Sequence, residues 1–184
     1  MSSSPLIVGQ STGPEYPRWS ETLRDHSNVL IRPITPRDKD AERAFIEDLS
    51  MQARRYRFLG QVRHPSEQMV EQFTNIDQAH EAAFVAVVSD EGRERIVGVS
   101  RYSANASGSQ CECAVTVSDD WQNRGLGTLL MRHLIEVAQA RGIQRMISID
   151  SAENARMQAL ANYLGFETRV DPDDASQVVH ELDL

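Results

Sequence analysis

Apolar residues recur along this chain in two periods, and each change of period marks an element. Val29 to Ile34 alternates like a strand. Thr35-Pro36-Arg37-Asp38 follows, with an N-cap residue, a proline at the first helical position and an acid at the third. Ala41, Phe45 and Leu49 then recur at every fourth position, which gives a helix one buried stripe. Gln52 to Thr74 reads as a second helical stretch, broken near Gly60 to Pro65, and its cluster Arg54, Arg55, Tyr56, Arg57, Phe58 has the composition of side chains that snorkel and pack.

The period then shortens to two. Ala82 to Ser89 and Arg95 to Ser103 are β-rich runs joined by the polar Asp90-Glu91-Gly92-Arg93, a hairpin composition. Cys111 to Val117 is a third strand after the turn-like Asn105 to Ser109, which predicts a three-stranded meander. Gly125 to Arg141 carries Leu126, Leu130, Leu134 and Val137 at helical spacing, with Gly142 where a left-handed C-terminal residue is needed. Arg145 to Asp150 reads as a strand, Asn154 to Leu164 as a helix, and Phe166 to Val170 and Val178 to Asp183 as closing strands. An antiparallel meander cannot open an all-parallel sheet, so the expected class is α/β of the α+β kind: a mixed, mostly antiparallel sheet flanked by helices. Residues 1–28 mix Ser, Gly, Pro and charge without a sustained period and read as a flexible extension that Trp19 anchors, leaving 29–184 as one domain.

Charge and cysteine narrow the partners. The chain has 184 residues, 27 acidic against 19 basic, and a formal charge of −8, which repels a phosphate backbone and argues against nucleic acid. The acidity selects no substrate by itself. Cys111 and Cys113 project from the same face of a strand, poorly placed to bridge each other, and no second Cys or His cluster accompanies them, so no metal is expected and a reducing cytoplasm fits. No cationic leader and no apolar run of membrane length stands out, which argues against a membrane partner. The five histidines are scattered and read as structural or surface residues.

The candidate chemistry lies between Val115 and Thr128, where a strand runs through a short loop into a glycine-bearing helix start. The first amides of a helix lack intrahelical acceptors and lie at the positive end of its dipole, and Gly125 and Gly127 let that backbone approach an anion closely. Gly-Leu-Gly alone serves as a turn as readily as a phosphate site. The third glycine of a dinucleotide fingerprint is missing, and no P-loop lysine follows.

Gln122-Asn123-Arg124-Gly125-Leu126-Gly127, the meander upstream, Asn154-x-x-Met157-x-x-Leu160 and Leu164-Gly165-Phe166 downstream together resemble the GNAT superfamily of N-acetyltransferases over about Val29 to Leu184. A closer likeness is to the acetyltransferase domain of bacterial Pat-type protein lysine acetyltransferases. It is carried by Ser50 with Arg54-Arg-Tyr-Arg-Phe58, Ile76-Asp77, Phe84-Val-Ala86, Ile96-Val-Gly-Val-Ser-Arg-Tyr102, Glu112-Cys-Ala114 and Asp119-Asp-Trp-Gln122.

That resemblance implies an enzyme using acetyl-CoA as acyl donor without metal, and an amine acceptor, in Pat-type enzymes a protein lysine. It implies Glu112 as general base, the amide of Val115 at the thioester oxygen, and peptide groups of Val115 and Val117 paired with the pantetheine arm. Gln122, Asn123, Arg124, Gly125, Leu126, Gly127 and Thr128 would surround the pyrophosphate, and Asn154 would contact the pantetheine amides. A small amine or polyamine acceptor, and a non-catalytic acetyl-CoA sensor, are the alternatives on the same fold. Glu112 lies opposite Cys111, Cys113 and Val115 on an alternating strand, so its role requires that face to border the cleft; a solvent-facing glutamate is the other reading. Many family members place a tyrosine before Leu-Gly-Phe to protonate the leaving thiolate; Ala161 occupies that position here, and no catalytic acid is assigned.

Overall fold

The computed structural model describes residues 18–59 and 64–184. Eight strands form one sheet in the order β1-β2-β3-β4-β5-β6-β8-β7. They are β1 Trp19–Thr22, β2 Asn28–Pro33, β3 Glu81–Asp90, β4 Arg93–Ala104, β5 Gln110–Val117, β6 Arg145–Ser151, β7 Glu167–Val170 and β8 Gln177–Asp183. Every neighbouring pair is antiparallel except β5 and β6. The helices are α1 Lys39–Asp48, α2 Met51–Phe58, α3 Glu67–Thr74, α4 Leu126–Ala140 and α5 Ala155–Tyr163. The break expected within 60–65 falls partly on 60–63, outside the described residues.

The domain boundary expected at residue 28 is corrected by β1. Trp19 to Thr22 pairs with β2, Leu23 is buried, and Trp19 stacks on His133 of α4 with ring centroids 3.9 Å apart. Sequence missed this strand because four residues are too few to show a period. Residues 1–17 lie outside the described residues.

Two cores sandwich the sheet. On one face Ala82, Phe84, Val97, Cys111, Cys113 and Met146 pack under Leu126, Leu130, Met131 and Leu134 of α4. On the other, Ala83, Val85, Val87, Ile96 and Val99 meet Phe45, Ile46 and Leu49 of the α1 region. The alternation puts residues two apart on one face, which is why the β5 cysteines are buried while Glu112 turns to the α1–α3 side. The β3–β4 register shifts between Ala86 and Val87, leaving an extra residue in β4 and placing both Val97 and Gly98 under α4.

A buried ion pair fixes the entry to α1. Arg32 Nη1 and Nη2 donate to Asp38 Oδ2 and Oδ1 at 2.9 and 2.8 Å, and Asp38 Oδ2 also accepts from the Thr35 amide at 2.7 Å. Burial pushes the Asp38 carboxyl up, but the Arg32 and Thr35 hydrogen bonds outweigh it and hold the group below its ordinary value. Stability from this pair is therefore present in full above the unfolded carboxylate range and is lost as pH falls through the folded value. Asp38→Asn is expected to cost about 2 kcal/mol at neutral pH, less than the loss of an isolated buried partner because Glu94 still pairs with Arg32. Denaturant unfolding across pH should show that deficit shrinking in acid; a deficit independent of pH would refute the pairing argument.

Candidate active site

The site begins where β5 and β6 part. These parallel strands pair only over Gln110↔Arg145, Cys111↔Met146 and Glu112↔Ile147, yet β5 runs on to Val117 and β6 to Ser151. The two chains thus form a fork. On its other side β5 stays paired with β4 up to Val117, and the Ser118 amide donates to Val97 O at 2.9 Å. In an antiparallel ladder residues alternate in which neighbour they bond, so Glu112, Ala114 and Thr116 spend their backbone groups on β4. The N–H and C=O of Cys113, Val115 and Val117 consequently face the open fork. An extended chain laid there would find a row of backbone partners.

At the fork's mouth, residues 118–125 lead into α4. Gly125 has φ 88° and Asn123 φ 63°, left-handed conformations that turn the chain sharply into the helix. The first α4 carbonyl accepted within the helix is Gly125 O, by the Leu129 amide at 3.2 Å, so the amides of Leu126, Gly127 and Thr128 have no acceptor inside the helix. Their dipoles converge on the cleft and favour an anion. A Cβ on Gly125 would lie 3.3 Å from Arg24 Nε, so Arg24 stands directly over this turn.

A cleft of about 1080 Å³ runs from this turn up the fork. Glu112, Val115, Val117, Gln122, Asn123, Gly125, Leu126, Gly127, Thr128 and Asn154 all line it. Gln122 Nε2 donates to Val117 O at 3.3 Å, and Asn154 Oδ1 accepts from the Met157 amide at 3.2 Å, capping α5. Arg124 is the exception among the expected cofactor residues. Its side chain turns from the cleft to Asp25 at 3.0 Å, to Asp120 O at 2.7 Å and over the Trp121 ring at 4.4 Å. It braces the loop against the segment after β1, a partner that the sequence placed in a flexible extension.

Helix α2 closes the opposite wall. Asp119 accepts from the Ser50 amide at 2.8 Å and the Ser50 hydroxyl at 2.9 Å, tying the start of α2 to the loop before α4. Tyr56 Oη donates to Glu153 O at 3.3 Å and links α2 to the β6–α5 connection. A second cavity of about 190 Å³ lies behind, lined by Arg57, Glu81, Arg101, Ser103 and Glu112. Glu112 and Arg57 belong to both cavities. Glu112 is exposed and borders both cavities, as Cys113 of the opposite strand face also does.

Arginines surround this junction. Burial, with repulsion from Arg101, lowers Arg57 to about 10, well above neutrality, so it remains a cation. Its guanidinium lies 5.1 and 5.4 Å from the Phe58 and Phe73 ring centres, and Arg101 sits 4.5 Å over Phe73. Arg101 Nη2 is 3.5 Å from the buried Glu42, whose carboxyl burial pushes up. The sequence treated these arginines as packing residues and left Arg101 outside the site; helical spacing gave no sign that α2 covers the fork. Arg24 was missed with the rest of residues 18–28.

Two positions bear on the tyrosine that this sequence lacks before Leu164-Gly165-Phe166. Ala161 is buried in the α4-side core and carries no polar atom. Tyr163 is 65% exposed and is among the residues lining the cleft, and its hydroxyl accepts from Arg132 Nη2 at 3.2 Å.

A splayed parallel pair facing a glycine-rich helix start offers main-chain groups to an extended ligand that ends in an anion. The acetyltransferase (GNAT) family model matches residues 39–166, and the chain belongs to that family. It is 47% identical to an acetyltransferase of Pseudomonas aeruginosa over 170 residues, 92% of this chain and 91% of that protein. It is 29% identical to the acetyltransferase Pat of Mycolicibacterium smegmatis over 137 residues, 73% of this chain but 40% of that longer protein. The crystal structure of the GNAT domain of Streptomyces lividans Pat superposes with a TM-score of 0.83 at 28% identity, covering 92% of this chain and all of that domain. The protein is thus a GNAT acetyltransferase with a Pat-like domain, and the family's acyl donor is acetyl-CoA. No described helix is long and apolar enough to cross a membrane.

Proposed function

We propose that this protein transfers the acetyl group of acetyl-CoA directly to lysine side chains of proteins, with Glu112 as the general base. The observation that carries the proposal is the position of Glu112 on the wall shared by the two cavities. The large cleft takes the donor, and the small one, of about 190 Å³, takes the amine arm. A lysine ammonium, of pKa about 10.4, must lose a proton before its nitrogen can attack, and Glu112 is the carboxylate at that meeting point.

The fork-facing amides of Val115 and Val117 pair with the pantetheine arm, and Val115 N–H holds the thioester oxygen as charge grows there. The carboxamide oxygen of Asn154 caps α5, so its Nδ2 is the end offered to the donor. The amides of Leu126, Gly127 and Thr128 receive the pyrophosphate, with Asn123 and Gln122 beside them and Arg24 supplying positive charge. Buried Cys111 and Cys113, both free thiols, suit a cytoplasmic setting. Likeness to Pat favours a protein acceptor.

Free-thiol release from acetyl-CoA, measured against a panel of lysine-bearing proteins and small amines, tests the proposal. Protein-dependent release is expected. Release with small amines alone would replace the acceptor by a small amine or polyamine, and tight binding without release would make the protein an acetyl-CoA sensor.

A further inference from the structure

Asp150 stands on the arm of the fork opposite the expected thioester site. Counting on from Glu112↔Ile147, the last paired residues, brings Asp150 level with Val115, the residue whose amide is assigned to the thioester oxygen. Asp150 lines the same cleft as Glu112. Its Oδ2 accepts from Ser148 Oγ at 2.5 Å and lies 3.6 Å from Nε2 of His180 on β8. His180 is fully buried, its Nδ1 is hydrogen-bonded to Thr168 Oγ1 at 2.7 Å, and its Nε2 has no hydrogen-bond partner. Among the described residues no hydrogen bond engages Oδ1 of Asp150.

We infer that Asp150 is the proton donor to the departing CoA sulfur, taking the role left empty by Ala161. The inference rests on the fork being the donor site. It answers a physical need: a thiolate released beside Cys113 and Val115 loses solvation. Burial pushes the thiol of Cys113, which lines the cleft, well above its ordinary value. Burial raises the Asp150 carboxyl, against the opposing effects of Ser148, His180 and Arg57, and burial lowers His180 despite Asp150, so the surroundings push both groups toward their neutral forms.

The step balances. The acceptor nitrogen gives up two protons: the first passes to Glu112 before attack and on to solvent, and the second leaves to solvent by way of the regenerated Glu112 carboxylate once the C–N bond has formed. The C–S bond breaks with its electron pair going to sulfur, and the O–H of Asp150 is exchanged for an S–H. Solvent returns a proton to Asp150, and each turnover starting from an ammonium releases one proton net. The charged and titratable groups that act on Asp150 or feel it are His180 on β8, Cys113 on β5 and Arg57 on α2, and the Ser148 hydroxyl on its own strand donates to it.

Asp150→Asn keeps the shape and removes the proton. Its kcat is expected to fall by about 10²-fold or more, with acetyl-CoA affinity by calorimetry within about threefold of wild type, and Asp150→Glu should recover part of the rate. The wild-type kcat profile should lose activity at high pH as Asp150 ionises, and the Asn variant should lack that limb. Independently of turnover, NMR of the wild-type aspartate carboxyls should find Asp150 titrating above the ordinary range and shifting when acetyl-CoA binds. An unchanged kcat, an affinity loss matching the rate loss, a higher KM for the amine at constant kcat, or an ordinary titration would each overturn the assignment. Failure of Glu112 as base is read separately, from an unchanged rate in Glu112→Gln.

Discussion

Glu112→Gln is expected to slow acetyl transfer by about 10²–10⁴-fold while leaving acetyl-CoA affinity nearly unchanged. The carboxamide keeps the volume and one acceptor oxygen but cannot take a proton from an ammonium. Affinity should survive because the proposed donor contacts lie elsewhere, on the main chain of Val115 and Val117 and on the open amides of α4. The loss should narrow as pH approaches the acceptor's own pKa, where free amine is present without a base. Steady-state rates over a pH series, with calorimetry for binding, decide it: an equal loss at every pH, or no loss at all, removes Glu112 from proton transfer. The exposure of Glu112 does not count against it, because a base that serves an incoming side chain must be reachable.

The second large effect concerns how α4 is seated. Leu130 is fully buried, and an added Cβ on Gly98 would come within 2.8 Å of its Cδ1 and 3.2 Å of Leu126 Cδ2. Leu130→Ala should cost about 3–5 kcal/mol through lost burial and the cavity left behind. Gly98→Ala alone should cost about 1–3 kcal/mol, because both leucines are held by core neighbours and have little room to give. In the double variant the new methyl enters the space vacated by Leu130, so the combined cost should fall short of the sum by about 1 kcal/mol or more. Chemical denaturation of the four proteins measures the coupling, and simple additivity would mean that the strand and helix do not meet at this glycine. The same contact sets the height of the α4 N-terminus above β4 and β5, so acetyl-CoA affinity should weaken in Gly98→Ala as well.

Much of this was legible from local pattern. Period two over Ala82 to Ser103 and Cys111 to Val117, and period 3.6 over Leu126 to Val137, gave the meander and α4 because one buried face per element leaves a repeat in the sequence. The loop from Gln122 to Thr128 was legible for another reason: its donors are main-chain amides at a helix start, so local sequence alone positions them. The alternation of β5 likewise separated Glu112 from the cysteines before any neighbour was known.

Other features depended on distant segments meeting. β1 carries no periodicity, and only pairing with β2 and the stacking of Trp19 on His133 make it part of the sheet. Arg124 sits inside the motif, yet a carboxylate one hundred residues earlier, Asp25, draws its side chain off the cleft. The parting of β5 from β6, the covering of the fork by α2, and the approach of Asp150 to His180 are relations between strands and helices. A single segment records the hydrophobic face it buries and the turns it makes; it holds no record of which polar side chain another segment will bring to within hydrogen-bonding reach.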